Sequence, residues 1–76
     1  MSQALLNIKA WEYAVEQAKP LLNLPDDTCK CHFDVKPLDS ELLFKGGVYY
    51  DDRLIGYVYI DEGANGELIK KFELKS

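Results

Sequence analysis

The chain has 76 residues, 47% hydrophobic and 12% aromatic, with 13 acidic against 9 basic side chains and a formal charge of −4. That apolar supply argues against intrinsic disorder, the length allows one small domain (1–76), and the acidic balance disfavours a general duplex-DNA binder. No run approaches the roughly 18 apolar residues of a membrane span, and the first residues lack the basic start and apolar stretch of a signal peptide. The expectation is therefore no membrane association and an intracellular, cytoplasmic location.

Residues 3 to about 19 read as an amphipathic helix. Ala4, Ile8, Trp11, Val15, Ala18 and Leu22 recur at alternating spacings of four and three, which aligns them on one stripe. Leu6 and Tyr13 fall off that stripe, with Ala10 nearby. Ser2 is the expected N-cap, with Met1 stapled onto Leu6. Pro20 has no N–H to give the Glu16 carbonyl, so the helix is expected to end or kink there. Leu22 and Leu24 then tuck back, and Asp26-Asp27-Thr28 turns the chain toward a sheet.

Alternating apolar and polar residues predict four strands, at 29–36, 42–50, 54–61 and 67–74. In the first, Cys29, Cys31, Phe33 and Val35 share a face, opposite Lys30, His32, Asp34 and Lys36. Two cysteines at positions i and i+2 of a strand hold their Cβ atoms about 6–7 Å apart, beyond disulfide reach. Both are therefore expected as reduced core thiols. Gly46-Gly47 marks a bulge or bend.

A three-residue loop at 51–53 sets Tyr50 opposite Leu54 and Tyr49 opposite Ile55. Phe44, Val48, Tyr50, Leu54, Val58 and Ile60 then lie on the inner face. A five-residue loop at 62–66 adds Leu68, Phe72 and Leu74 to them. Lys70 is the misfit, since it falls inside beside Val58; snorkelling at an edge or a bulge would relieve it. The expected architecture is α+β, one N-terminal helix across a four-stranded antiparallel meander, with Trp11 anchoring the contact.

The stretch from Tyr57 to Phe72, with its Asp-Glu-Gly-Ala-Asn-Gly-Glu turn, resembles the closing hairpin of PepSY-type modules and some small immunity proteins. Those families also place a helix before a meander. The resemblance implies that arrangement, and no activity is carried across from it.

Chemistry-bearing residues are sparse. Zinc needs about four converging ligands. Here the two cysteines and the single histidine, His32, are expected on opposite faces, which removes both a metal site and a Cys–His catalytic pair. No phosphate-binding glycine loop is present, because Gly46-Gly47 is followed by neither a helix nor Lys-Ser/Thr. Acid pairs sit at the turns, where aspartate is a favoured and solvated residue. Asp26, Asp27, Asp51 and Asp52 are expected at one end of the meander, and Asp39, Glu41, Asp61 and Glu62 at the other.

The sharper feature is the face that should meet water, which collects Tyr49, Ile55, Tyr57 and Tyr59 with Lys36, Lys45, Lys71 and Ile69. Tyrosine has an apolar body and a polar tip, and is common at interface centres. Cross-strand aromatic pairs also stabilise exposed sheets by about 0.2–1 kcal/mol each, which is the competing explanation. The expectation is a non-enzymatic protein-binding module with no cofactor or metal: an inhibitor, immunity or accessory protein, of phage or mobile-element type. The tyrosines would pack on a larger protein partner, and Asp51, Asp52, Asp61 and Glu62 would steer it. A homodimer using the same face is the alternative, and a single-stranded nucleic-acid binder the third reading.

Overall fold

The computed structural model describes residues 3–75; the expected Ser2 cap and Met1 staple lie outside the described residues. The elements are α1 (Gln3–Leu21), a 3₁₀ turn (Lys30–His32), β1 (Phe33–Pro37), β2 (Phe44–Tyr50), β3 (Arg53–Glu62) and β4 (Leu68–Leu74). The strands form one antiparallel sheet in the order β1-β2-β3-β4, with α1 across one face, as the sequence predicted. Among the described residues, no helix is long and apolar enough to cross a membrane.

Helix α1 continues through Pro20 because that residue lies in its last turn. Asn23 adopts φ 57°, its N–H reaches the Pro20 carbonyl at 3.2 Å, and the Leu24 N–H reaches Lys19 O at 2.9 Å. This is a Schellman closure, with asparagine in the left-handed position that glycine usually takes. It folds Leu22 and Leu24 back against the core.

The buried helix face is rotated from the predicted stripe. Leu6, Ala10, Ala14 and Ala18 are buried at intervals of four, with Val15 beside them. Ile8 is 53% exposed, and Ala4 is exposed too. Opposite the alanine ridge, the sheet supplies Phe44, Val48, Val58 and Ile60, all essentially inaccessible. Bulk comes from the sheet, and small helix residues let the backbone approach it. Trp11 is half-buried on the flank and donates from Nε1 to Phe33 O at 3.0 Å, so it ties α1 to the sheet margin.

The first predicted strand begins too early. Residues 30–32 form a 3₁₀ turn capped by Cys29, and β1 starts only at Phe33. The expectation of buried, reduced thiols is overturned: Cys29 and Cys31 are exposed and joined by a disulfide. The turn brings their Cα atoms to 5.2 Å, within the span that a bridge requires. Such bridges persist in oxidising surroundings, a point that the expected intracellular location did not include.

Register follows the prediction in the middle of the sheet and departs from it at the turns. The β2–β3 loop is two residues, Asp51-Asp52, both with positive φ (48° and 67°), between the pair Tyr50–Arg53. A primed turn of this kind matches the strand twist, and Asp tolerates it. The residue thus removed from the loop reappears as a bulge: Tyr49 pairs with Leu54, Val48 with Gly56, and Ile55 is extra. The β3–β4 pairing is offset by two residues from the expected one, which preserves every face. Lys70 consequently sits opposite Ile60 rather than Val58. At the sheet edge it stays exposed on the helix side, with Nζ 5.8 Å from the Tyr13 ring centre.

Candidate functional site: the uncovered sheet face

The face turned away from α1 is built by strand alternation. Tyr57 and Tyr59 alternate with the buried Val58 and Ile60, and Tyr49 follows the buried Val48. All three tyrosines are half-buried by their neighbours. Across the ladder, Lys45 pairs with Tyr59, Tyr57 with Glu73, and Tyr59 with Lys71.

Lysines lie over the rings. Lys36 Nζ is 4.7 Å from the Tyr49 centroid, and Lys45 Nζ is 5.7 Å from both Tyr57 and Tyr59. Each such contact contributes on the order of 0.5–1 kcal/mol at an exposed site. Lys71 also meets Glu73 at 3.8 Å on the same strand. The face therefore presents aromatic bodies under aliphatic lysine stems, with their charges partly balanced by Glu73 and Asp61. The Tyr59 hydroxyl has its pKa raised above 10.0, first by partial burial, then by the Glu73 carboxylate and by Tyr57.

Ile55, expected on this face, is not there. The bulge directs it against the core cluster and turns Leu54 outward instead, close to Gly47 and beside its partner Tyr49. Gly47 leaves a notch between the Tyr49 ring, Leu54 and Leu38. Leu42 joins Tyr59, Asp61, Ile69, Lys71 and Glu73 around a groove of ≈ 420 Å³. Sequence reasoning missed Leu38, Leu42 and Leu54. The first two belong to the β1–β2 connection, because β2 begins at Phe44 and not at the expected residue 42, and Leu54 changes face only because of the bulge.

The acidic residues divide by role. Asp51 Oδ1 meets His32 Nδ1 at 2.8 Å, while the Asp51 N–H donates to His32 O at 2.9 Å, so this turn is clasped to the entry of β1. Asp52 supplies the second positive φ of the same turn. At the other end Asp61 lines the groove, and its Oδ1 accepts the Glu62 N–H at 2.9 Å. Of the expected carboxylates, only Asp61 adjoins the tyrosines directly. Among the described residues no group of three or more His, Cys, Asp or Glu is placed to hold a metal ion.

No family model matches the sequence, and neither a curated protein nor a solved structure matches the chain. The hairpin likeness to PepSY-type modules therefore does not extend to a family match.

Proposed function

We propose that this chain is a small non-enzymatic protein-binding module, an inhibitor, immunity or accessory factor of phage or mobile-element type that covers a surface of a larger protein. The observation that carries the reading is the Tyr49–Tyr57–Tyr59 cluster under Lys36 and Lys45, on the sheet face that the helix leaves uncovered. Aromatic rings already held by cross-strand neighbours lose little side-chain entropy on binding, which favours them as anchors. Leu54 and the Leu42–Ile69 groove extend the apolar centre, and Asp51, Asp52, Asp61 and Glu62 at the two ends would steer a partner of complementary charge.

The test is co-purification from the source cell with wild type against a Tyr57→Ala/Tyr59→Ala double variant, with melting curves recorded for both. Capture of one defined protein by wild type, and its loss in a variant that still melts cooperatively, is the expected result. Equal capture by both proteins refutes the reading. A captured nucleic acid, whose affinity for a single-stranded oligonucleotide falls steeply with salt, would replace it with the third reading.

A further inference from the structure

The sheet has two edges, and they are finished differently. Along β1, Asp51 N donates to His32 O and Leu38 N donates to Lys45 O, so even-numbered residues face β2. Odd-numbered residues must then turn their N–H and C=O groups outward. The N–H groups among them are already occupied: Phe33 N donates to Lys30 O and Val35 N donates to Asp34 Oδ1 at 2.9 Å, while Phe33 O accepts from Trp11 Nε1. Pro37 has no N–H at all. Edge β1 thus offers a further strand no free N–H donor.

On edge β4 the outward N–H groups have no such partners. Gly63 N donates to Glu67 O and Lys75 N donates to Ile55 O, so odd-numbered residues of β4 bond to β3. Leu68, Lys70, Phe72 and Leu74 therefore direct their N–H and C=O groups away from the sheet. Lys70 O accepts the Tyr13 hydroxyl at 3.4 Å, a long contact that leaves its second lone pair free. The strand runs for seven residues, Leu68–Leu74, without proline or bulge. An edge of that kind is a template for another strand.

The side chains specify which strand fits. When β4 is laid antiparallel against its own copy with Phe72 on the two-fold axis, Lys70 pairs with Leu74 of the partner subunit. In the same register, Lys71 falls opposite Glu73 of the partner subunit, and this exchange occurs twice by symmetry. The neighbouring register centred on Lys71 sets two lysines against each other on the axis. The one centred on Lys70 sets Lys70 against its copy and Glu73 against Glu67 of the partner subunit. A register centred on Ile69 would also oppose Lys71 to Glu67 of the partner subunit, but it overlaps only three residues of the strand; among the registers that overlap at least five, charge complementarity selects a single self-pairing. We propose that β4 is a homodimerisation edge, joining two chains through this Phe72-centred register into a continuous eight-stranded sheet (twice the four strands of one chain). Both tyrosine faces then lie on the same side of that sheet, so the dimer is bivalent for whatever the face binds.

Sedimentation equilibrium over a micromolar to millimolar range tests the edge with three variants. Lys70→Pro removes an outward N–H that the β3 ladder does not use, and is expected to give a folded monomer. Lys71→Glu alone and Glu73→Lys alone each set like charges opposite one another and are expected to weaken dimerisation at least tenfold. Mixing these two in equal amounts restores complementary pairs and should recover the dimer as a heterodimer. A wild type that stays monomeric throughout the range overturns the proposal. So does failure of the mixture to associate more tightly than its two components.

Discussion

On the inner face, Phe44, Val48, Val58 and Ile60 lie beneath the Ala10–Ala14–Ala18 ridge; on the outer face, Tyr49, Tyr57 and Tyr59 lie beneath lysine stems. Both faces carry large apolar bodies, and alternation alone would allow either to be the core. The difference lies in what covers them. A helix with small residues at every fourth position can reach the sheet closely enough to exclude water. Lysines over rings shield the rings and leave them wet. One face is committed to folding, while the other keeps apolar area that folding does not use.

The largest expected contrast is Phe44→Ala against Tyr57→Ala. Phe44 is 2% exposed, and truncating it removes transfer energy and leaves a cavity, for a cost of about 3–5 kcal/mol. A domain of this size has about 3–5 kcal/mol in total, so the variant should be substantially unfolded in buffer at room temperature. Tyr57→Ala forfeits cross-strand contacts of about 0.2–1 kcal/mol and should keep a cooperative urea transition. Comparable midpoints for the two variants would mean that the outer face is also structural.

A smaller contrast uses glycines. At Gly56, on the bulge, a Cβ would run into the backbone carbonyl of Glu73 in β4. Gly56→Ala must therefore push the two strands apart, at a cost of about 1–3 kcal/mol. Amide exchange should accelerate where Lys75 N bonds to Ile55 O. At Gly47 the added Cβ meets the Tyr49 ring at 3.3 Å, a Leu54 methyl at 3.4 Å and a Leu38 methyl at 3.9 Å, all side chains with room to yield on an open face. The entropy removed from the unfolded chain, about 0.4–1 kcal/mol, offsets that crowding, so Gly47→Ala should change stability little. A Gly47→Ala cost equal to that of Gly56→Ala would erase the contrast between the faces.

How far the sequence carried these features depends on the kind of signal each one leaves. Strand order and inner-face membership follow from a period of two, which tolerates errors of two residues: the β3–β4 offset moved Lys70 from Val58 to Ile60 without moving it off its face. A bulge changes the parity itself, and it exchanged Leu54 and Ile55 between faces. Its cause is visible as Asp51-Asp52, a pair able to make a two-residue primed turn, one residue shorter than the expected loop at 51–53. The helix stripe failed for another reason. Pattern reading rewards large residues such as Ile8, whereas burial here selects small ones, and nothing in α1 by itself reveals how bulky the opposing sheet is. The tyrosine face is legible because Tyr57 and Tyr59 lie beyond the bulge on regular strand, and the extra residue belongs to β3, which leaves the alternation of Val48 and Tyr49 along β2 intact. The Cys29–Cys31 bridge is masked in the sequence because the apolar–polar alternation of β1 continues backward through residues that form a turn.

The smallest expected effect separates wet aromatic surface from core by titration. Tyr59 holds its proton above the ordinary value of 10.0, because partial burial, then Glu73, then Tyr57 disfavour its anion. The unfolded chain has none of these neighbours and would release the proton at the ordinary value. Folded protein thus binds more protons than unfolded protein above pH 10, and stability falls as pH rises from there through the folded value. The contribution from Tyr59 is intact below pH 10. Tyrosinate absorbance of wild type minus Tyr59→Phe should isolate a transition above that of an ordinary tyrosine, and Glu73→Gln should move it downward. Urea midpoints of Tyr59→Phe should decline less than wild type through the same interval. A difference spectrum centred at the ordinary tyrosine value would place Tyr59 in bulk water, and the outer face would then lack the partial shelter that lets its rings act as anchors.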